Sequence, residues 1–423
     1  MSQPDAARWA MYRSLIIPVY APSFLMSACQ GGLLMILPLY AMDLGQSEAM
    51  AASVLAARGL GNMLADLPAG AATARWGDRL VMQGGIAIMV VATLVAGLFE
   101  HPGLLMLCAT GIGFAMATWL LARLALVGDL VASRFRGQAL STMAGLQRVG
   151  HFIGPALVGL SIESLGYGET FLILASALSL TLVFVNVSQR KQKANTTNAS
   201  KDSARFIDDF QTRQAGRAEA KLSYPTLALR HRRIWLTAGQ VVMLLTLLRS
   251  ARTLLIPIWG VHLGLSAGEI GLILSLAAGV DMLMFPVAGI VMDHFGRRWS
   301  ATVCLLLLSV GLALVPLADS TFFFALSAMV AGVGNGLGSG INMTLGTDFA
   351  PEQDRGRFLG IWRLIGDSGS LAGPTAIGFL ATAWSLKSAM LLVAACGPWA
   401  VTLLWLTVPE TLQKSTQPRT RVA

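Results

Sequence analysis

Twelve long apolar runs constrain this chain more than any other feature of its sequence. A transmembrane helix needs about 20 mostly apolar residues, and lipid offers no hydrogen-bond partners to a backbone that is neither helical nor closed into a barrel. The runs lie at 15–39, 51–73, 80–99, 104–128, 138–162, 169–187, 234–260, 268–292, 300–318, 321–346, 357–382 and 386–408. They lack the alternating pattern of a membrane β-barrel. With 55% hydrophobic and only 13% charged residues, the sequence predicts an all-α polytopic membrane protein with twelve transmembrane helices.

Basic residues are concentrated on one side of the predicted spans. Of the 31 lysines and arginines, 24 lie in segments on that side, and only Lys387 lies in a segment on the other. Because lysine and arginine mark the cytoplasmic side of a membrane, we expect cytoplasmic termini and a location in the plasma membrane, the inner membrane of a bacterium. The net charge of +9 therefore reflects topology, and no nucleic-acid partner is expected.

One long polar segment, residues 188–232, interrupts the apolar pattern. We predict that it is a basic cytoplasmic linker between two six-helix bundles, residues 1–187 and 233–423. Within it, residues 203–221 are predicted either as an amphipathic helix lying on anionic lipid or as a mobile tether.

The two halves of the chain repeat one another at an offset of 219 residues. The stretch AGAATARWGDRLVM at 69–82 matches AGIVMDHFGRRWSA at 288–301. The offset places Gly70, Gly77, Arg79, Asp129, Gly150, Gly154, Pro155 and Gly159 in register with Gly289, Gly296, Arg298, Asp348, Gly369, Gly373, Pro374 and Gly378. The repeat predicts two pseudo-symmetric bundles in the same orientation. Duplicated bundles of this kind describe many secondary transporters, which bind substrate near the bilayer midplane between the repeats.

The residues of the repeated turn carry a family resemblance. The second copy runs from Gly289 through Asp293 to Gly296, Arg297 and Arg298. It is similar to the G-x-x-x-D-R-x-G-R-R loop of the major facilitator superfamily, with a histidine replacing the first arginine. The first copy has alanine in place of the aspartate. The resemblance covers nearly the whole chain and implies the twelve-helix fold of that family and transport by alternating access, without a cofactor.

A second motif resembles one branch of that family. GHFIGPALVG, residues 150–159, is similar to the G-x-x-x-G-P-x-x-G-G pattern of the exporter branch, the drug:proton antiporters, although only one glycine of the final pair is present. The resemblance implies proton-driven efflux, as in multidrug resistance. The alternative is ordinary close packing, because small residues four apart let helices approach each other. The packing residues are Gly150, Gly154, Pro155 and Gly159, with Gly369, Gly373, Pro374 and Gly378 in the repeat.

The repeated turns are predicted to act as gates at the cytoplasmic mouth. Their glycines would let helices touch, and their arginines would engage the carbonyl end of a neighbouring helix, which carries partial negative charge. The predicted gating residues are Gly70, Gly77, Arg79, Asp129, Gly289, Asp293, Gly296, Arg297, Arg298 and Asp348.

Ionisable residues inside the spans are the candidate transport site. Each costs roughly 2.5–3.5 kcal/mol or more if it is unpaired at mid-depth. At 1.5 Å per residue, Arg148 and Asp281 lie at similar depths, and the family architecture brings their helices together, so we predict that they face each other. We also predict that Asp66 faces Arg363, with Asp367 one turn further on the same face. The substrate and proton pathway is predicted to comprise Arg58, Asp66, Arg148, His151, Arg249, Arg252, Asp281, Arg363 and Asp367.

Two interpretations of these charges stay open. They are either structural ion pairs and snorkelling side chains, or groups that substrate or a proton switches between charged and neutral forms. In the second case Asp281 is the best candidate proton carrier, and His151 is an alternative because its pKa is naturally near physiological pH.

The sequence predicts a secondary transporter, and not an enzyme or an ATP-driven pump. It contains no HExxH motif and no GxxxxGK[ST] phosphate loop, and its four cysteines have no metal-binding spacing. The leading hypothesis is proton-coupled export of small organic compounds. The alternatives are a proton-coupled importer of an organic anion or other nutrient, and a non-transporting receptor. The substrate charge stays open: the family resemblance implies amphipathic or cationic compounds, whereas the excess of arginine over aspartate inside the spans favours an anionic or zwitterionic solute. We expect a monomer whose partners are that solute, protons and the lipid bilayer.

Overall fold

The computed structural model describes residues 15–130, 133–196 and 224–412 of the 423. Within these ranges the side chains of 67, 70–71, 74, 124–130, 133–136 and 188–196 are outside the description. The segment 203–221, for which a helix or a tether is predicted, lies outside the described residues.

The described residues form helices and contain no strand, which confirms the all-α membrane fold. Twelve long helices contain the predicted apolar runs, with ends that differ by a few residues. They are α1 Ile16–Asp43, α2 Glu48–Trp76, α3 Asp78–Leu98, α4 Pro102–Leu130, α5 Ser133–Leu165, α6 Tyr167–Thr196, α7 Arg232–His262, α8 Ala267–His294, α9 Arg297–Leu317, α10 Thr321–Phe349, α11 Arg355–Ala383 and α12 Leu386–Thr407. Helix α6 continues past residue 187, where the first bundle was predicted to end. A short helix, Tyr224–Arg230, precedes α7.

Nine of the helices in the described part of the chain are long and apolar enough to cross a membrane on composition alone. The other three are α2, α5 and α11. Each carries buried or half-buried charges that lower its hydropathy, among them Asp66, Arg148 and Arg363. These three helices lie between the halves, where neighbouring helices shield their charged faces from lipid.

The repeat extends into turns beyond the matched motifs. Gly45 ends α1 and Gly264 ends α7, and both have left-handed backbone, with φ of +72° and +74°. Glycine adopts this conformation without the steric cost that a Cβ would bring. Two residues later, Ser47 and Ser266 cap α2 and α8 by accepting a hydrogen bond from the N–H three residues on. The equivalent connections of the two halves are therefore built in the same way.

Helix packing follows the same symmetry. In the first half α1 packs on α5, α2 on α4, and α3 on α6; in the second half α7 packs on α11, α8 on α10, and α9 on α12. The halves meet through two equivalent pairs, α5 with α8 and α11 with α2, and through α1 with α7. The buried core is continuous through both halves.

The two ends of the bundle differ in charge and in closeness of packing. We call the end with Asp43, Glu100, Glu163 and Asp319 the acidic end, and the end with Arg75, Arg79, Arg297 and Arg298 the basic end.

The halves touch closely from mid-depth to the acidic end. A Cβ added to Gly59 of α2 would lie 2.7 Å from the Ser370 carbonyl oxygen of α11, and one added to Gly378 would lie 3.3 Å from the Ala49 carbonyl oxygen. Closer to the basic end, a Cβ on Gly145 of α5 or Gly360 of α11 would meet no atom within 4 Å. The interface is therefore closed at the acidic end.

Candidate functional site

A cavity of about 450 Å³ lies between the halves at mid-depth. Helices α1, α5, α7, α8 and α10 line it. Its polar and charged lining residues are Gln147, Arg148, His151, Arg249, Arg252, Thr253, Asp281 and Asn335. It therefore holds three guanidinium groups and one carboxylate. With His151, these are five of the predicted pathway residues.

A larger concavity of about 760 Å³ lies along α2, α3 and α4. It is bordered by apolar side chains such as Leu80 and Ile88, and its one charged lining residue is Arg75. Since charged groups converge in the smaller, central cavity, that cavity is the candidate transport site.

Asp281 is the centre of the charged cluster in the cavity. Its Oδ1 lies 3.3 Å from Arg148 Nη1, and its Oδ2 lies 3.9 Å from Arg252 Nη1. Asn335 of α10 donates a hydrogen bond to the same carboxylate, and the Arg148 guanidinium stacks 4.0 Å from the centre of the Phe285 ring. The structure thus brings the predicted pair of α5 and α8 together, and one carboxylate serves two arginines.

Helix α10 is broken beside this cluster, where the apolar pattern predicted one continuous helix over 321–346. The first segment ends at Leu337, and Gly340, with φ of +87°, precedes the second segment. At the break the Gly338 carbonyl accepts a 3.3 Å hydrogen bond from the Ile341 N–H and a shorter one, 2.8 Å, from Arg249 Nη2. Arg148 donates to the Ser339 hydroxyl. Interrupted helices at mid-membrane are a recurring feature of transporter binding sites.

Asn335 and Ser339 were not among the predicted site residues. The signal was present in the stretch GVGNGLGSG, residues 332–340, because glycines at this density weaken a helix. His151 was predicted, and it lines the cavity with its Nδ1 3.0 Å from the Gln147 carbonyl of its own helix.

A second charged cluster lies between α2 and α11, away from the cavity lining. Arg363 Nε is 2.9 Å from Asp66 Oδ1 and 3.7 Å from Asp367 Oδ2. The predicted three-member cluster is therefore present. The Asp66 side chain is 1% exposed, whereas those of Arg363 and Asp367 are 26% and 22% exposed.

The remaining two intramembrane arginines face into the first half. The Nη2 of Arg58 lies 3.7 Å from the Met116 sulfur of α4. Arg123 is buried, and its guanidinium stacks on the Trp119 ring at 4.1 Å. Arg58 was predicted in the pathway, but it does not line the cavity.

The second copy of the repeated turn forms a network at the basic end. Gly296, with φ of +100°, precedes α9. Arg297 Nε is 3.4 Å from Asp348 Oδ2 of α10, and Arg298 Nη2 donates a 2.8 Å hydrogen bond to the Trp405 carbonyl at the end of α12. The predicted contact between an arginine of this turn and a helix carbonyl end is thus present. These contacts lie within one half, so they brace that half, and a gating role stays a prediction.

Glu410, which follows α12, completes this network. Its carboxylate accepts hydrogen bonds from the backbone N–H groups of Arg297 and Arg298, at 2.9 and 3.1 Å, and so caps α9. Partial burial tends to raise the pKa of Glu410, but these bonds and those from Leu412 and Thr411 outweigh it and lower the pKa below its usual range.

The first copy differs from the second. Gly77 has φ of +81° and precedes α3, whose first residue is Asp78. The repeat places Asp78 where the second half has Arg297. Gly70 lies in α2, and Arg79 lies in the first turn of α3. Asp129 lies in α4, and its side chain is outside the described set.

Two other predicted gating residues have open surroundings. Asp293, in the last turn of α8, is exposed. Gly289, on the same helix, would accept a Cβ with no atom within 4 Å.

The glycines of GHFIGPALVG serve helix packing. A Cβ on Gly150 would lie 2.7 Å from the Phe24 carbonyl oxygen of α1, and one on Gly154 would lie 3.1 Å from Ala28 Cα. Gly159 abuts Ala267 of α8 across the interface.

The repeat-related positions of α11 pack in the same way. A Cβ on Gly369 would lie 2.8 Å from the Leu247 nitrogen of α7, and one on Gly373 would lie 2.8 Å from the Leu247 carbonyl oxygen. Gly378 abuts α2, as Gly159 abuts α8. Pro155 and Pro374 both lie inside their helices, α5 and α11. Because both halves use the motif identically, it is a feature of the fold and does not by itself indicate export.

Comparison with known proteins agrees with this architecture. The chain matches the model of the Major Facilitator Superfamily twice, over residues 20–251 and 241–422. Similar solved structures include a POT family transporter in complex with a thioalcohol-conjugated peptide (14% identity, 95% of this chain, 97% of that chain, TM-score 0.76) and a POT family transporter in complex with 5-aminolevulinic acid (13%, 95%, 97%, 0.71). No protein with a curated description matches the sequence. At such low identity the structural likeness concerns the fold, whereas the family match covers most of the sequence: this chain belongs to the major facilitator superfamily.

Proposed function

We propose that this protein is a secondary active transporter that takes up a small organic anion or zwitterion, coupled to protons, through the cavity between its halves. The observation that carries the proposal is the charge of that cavity. Arg148, Arg249 and Arg252 line it, and Asp281 is its one acidic lining residue. An anionic group entering the cavity would gain charge-assisted hydrogen bonds, whereas an organic cation would meet net repulsion.

The geometry of the cavity fits alternating access. The cavity lies between the halves. Arg148 of the first half pairs with Asp281 of the second half and also donates to the Ser339 hydroxyl at the α10 break. A substrate carboxylate that attracts Arg148 competes with these groups. Binding therefore loosens contacts that link the halves, which is the kind of differential interaction that a shift between states requires.

Uptake is favoured over export on two grounds. The glycine motif that resembles the exporter branch packs helices identically in both halves. In addition, two similar structures were solved with a peptide conjugate and with 5-aminolevulinic acid, and an acid of that kind suits an arginine-lined cavity. Proton-coupled export of organic compounds is the second candidate, supported by the sequence of GHFIGPALVG.

The orientation and organisation belong to the same proposal. The basic end faces the cytoplasm, because lysine and arginine accumulate there. The protein acts as a monomer of two bundles, 1–187 and 233–423, joined by the linker 188–232, in a plasma membrane.

Flux measurement tests the proposal directly. Purified protein in liposomes is offered radiolabelled succinate, 5-aminolevulinic acid, alanyl-alanine and tetraphenylphosphonium, with and without an imposed pH gradient. We expect gradient-driven uptake of an anionic or zwitterionic probe, lost in Arg148→Gln and retained in Arg75→Gln, a matched change outside the cavity.

Other outcomes would contradict the proposal. Transport of the cation alone, or anion uptake that Arg148→Gln leaves unchanged, would refute the assigned substrate class. Binding of a probe without flux would favour the non-transporting receptor.

A further inference from the structure

The cluster between α2 and α11 has the opposite charge balance to the cavity. Two carboxylates, Asp66 and Asp367, share the single guanidinium of Arg363, at 2.9 and 3.7 Å. In the cavity one carboxylate, Asp281, is within 4 Å of two arginines and accepts a hydrogen bond from Asn335. Within 4 Å, the α2–α11 cluster has two carboxylates for one guanidinium, whereas the cavity has two guanidinium groups for one carboxylate.

Asp66 is the more enclosed of the two carboxylates. Its side chain is 1% exposed, and among the described residues no group donates to either of its oxygens with hydrogen-bond geometry. Both carboxylates lie within 4 Å of the same Arg363 Nε atom, so they are neighbours in the cluster. Two carboxylates at short range resist simultaneous ionisation, and one proton held between them removes the repulsion.

Other charged groups on the packed helices are engaged elsewhere or lie at helix ends. Arg58 is eight residues before Asp66 on α2; it contacts Met116 of α4 and attracts Asp367 at longer range. Arg123 of α4 stacks on Trp119. Arg249 and Arg252 of α7 line the cavity, where they contact the α10 break and Asp281. Among the described residues, Arg363 is the one arginine within 4 Å of the carboxylate pair.

We propose that Asp66 and Asp367 form the binding site of the transported proton, separate from the substrate cavity; this inference rests on the proposed function. A proton from water forms an O–H bond on one carboxylate oxygen, and the other carboxylate accepts the hydrogen bond. When the cluster opens to the opposite side, the same O–H bond breaks and the proton returns to water.

The position of the cluster explains how proton binding reaches the substrate. Asp66 belongs to the first half, and Arg363 and Asp367 belong to the second. Protonation of Asp66 removes the negative charge that attracts Arg363 across the interface, so it weakens a contact between the halves. The cavity pair Arg148–Asp281 crosses the other, symmetry-related interface, so both events act on the same rocking motion.

Infrared difference spectroscopy on the purified full-length protein tests this site without knowledge of the substrate. A step from about pH 8 to about pH 5 spans the region above the ordinary carboxyl pKa. We expect a protonated-carboxyl band in the wild type that is lost in Asp66→Asn. The band should also be lost in Asp367→Asn, because Asp66 then shares Arg363 with no second carboxylate and the guanidinium stabilises its charged form. The band should persist in Asp281→Asn and in Asp293→Asn, an exposed control.

Flux distinguishes failure of this inference from failure of the proposed function. In liposomes, Asp66→Asn should lose pH-driven accumulation of 5-aminolevulinic acid or succinate but keep exchange of labelled for unlabelled probe. A band that is unchanged in both Asp66→Asn and Asp367→Asn, or lost in Asp281→Asn alone, overturns the proton site while exchange still supports transport. Wild-type protein that exchanges no probe but shows the Asp66-dependent band overturns the substrate class and leaves the proton site in place.

Discussion

Gly271 of α8 offers a direct test of the closed acidic end. It lies against the backbone of α5 at the interface between the halves. A Cβ at this position would lie inside contact distance of the Pro155 carbonyl oxygen, 3.1 Å from the Pro155 carbonyl carbon and 3.2 Å from Gly159 Cα. These are backbone atoms of a packed helix, so they cannot rotate away. In Gly271→Ala the two helices must separate.

The energetic cost falls on one conformation. Overpacking by a single group costs about 1–3 kcal/mol, and here that cost exists only while the acidic end is closed. Alanine also favours the helix by about 1 kcal/mol, but it does so in both conformations, so this term cancels. The equilibrium between closed and open acidic ends should therefore shift toward open by about 5-fold to 150-fold.

Cysteine labelling measures this shift. Thr253 lines the cavity, so Thr253→Cys, in a background without the four native cysteines, reports access from the acidic side to a membrane-impermeant maleimide. We expect the labelling rate to rise by the same factor in Gly271→Ala. Gly145→Ala is the matched control, because its methyl group on α5 would meet no atom within 4 Å. Equal labelling rates in the two variants would refute the argument that helix contact at Gly271 keeps the acidic end closed.

Three further predictions concern other parts of the molecule. Glu410→Gln should lower the stability of detergent-solubilised protein at neutral pH by about 1 kcal/mol, the usual value of a helix cap. Because the folded pKa of Glu410 is lowered, its contribution is present above the ordinary glutamate pKa and is lost as pH falls through the lowered value. The difference in melting temperature between wild type and variant should therefore shrink as pH falls below the ordinary glutamate pKa. Gly340→Ala forces a side chain into left-handed backbone at about 1–2 kcal/mol and should reduce anion transport, whereas Gly289→Ala, in open space, should not; equal fluxes would contradict a role for the α10 break. Asp281→Asn leaves two arginines without their carboxylate and should destabilise the fold by about 2 kcal/mol. This is below the roughly 3–5 kcal/mol of a fully buried pair, because the Asp281 side chain is 15% exposed. An unchanged melting temperature would show that the pair contributes nothing to stability.

The charged pairs were predictable because helix geometry leaves few possibilities. A constant rise per residue converts sequence position into depth, and the family architecture pairs α5 with α8 and α2 with α11. The repeat also explains a difference between the two pairs. Arg148 is equivalent to Asp367, whereas Arg363 is equivalent to Ala144. The Arg363 guanidinium therefore lies one turn from the position that corresponds to Arg148, and it contacts both Asp66 and Asp367.

The contacts that were not predicted depend on tertiary structure. At the break in α10, Arg249 donates to the Gly338 carbonyl and Arg148 donates to the Ser339 hydroxyl, and no local pattern places these arginines there. The capping of α9 by Glu410 joins residues more than 110 positions apart. Such partners are determined by how helices pack, and the periodicity of one helix does not encode them.

The groups that hold the cavity arginines have a consequence for the return step of the transport cycle. In the empty cavity Arg148 is held by Asp281 and Ser339, and Arg249 is held by the Gly338 carbonyl. In the proposed cycle, the unloaded carrier therefore returns with Arg148 and Arg249 bound by groups of the protein itself, which take the place of the substrate. The proposed uptake cycle contains one such empty return for every molecule delivered, so loss of these internal partners should slow the return step.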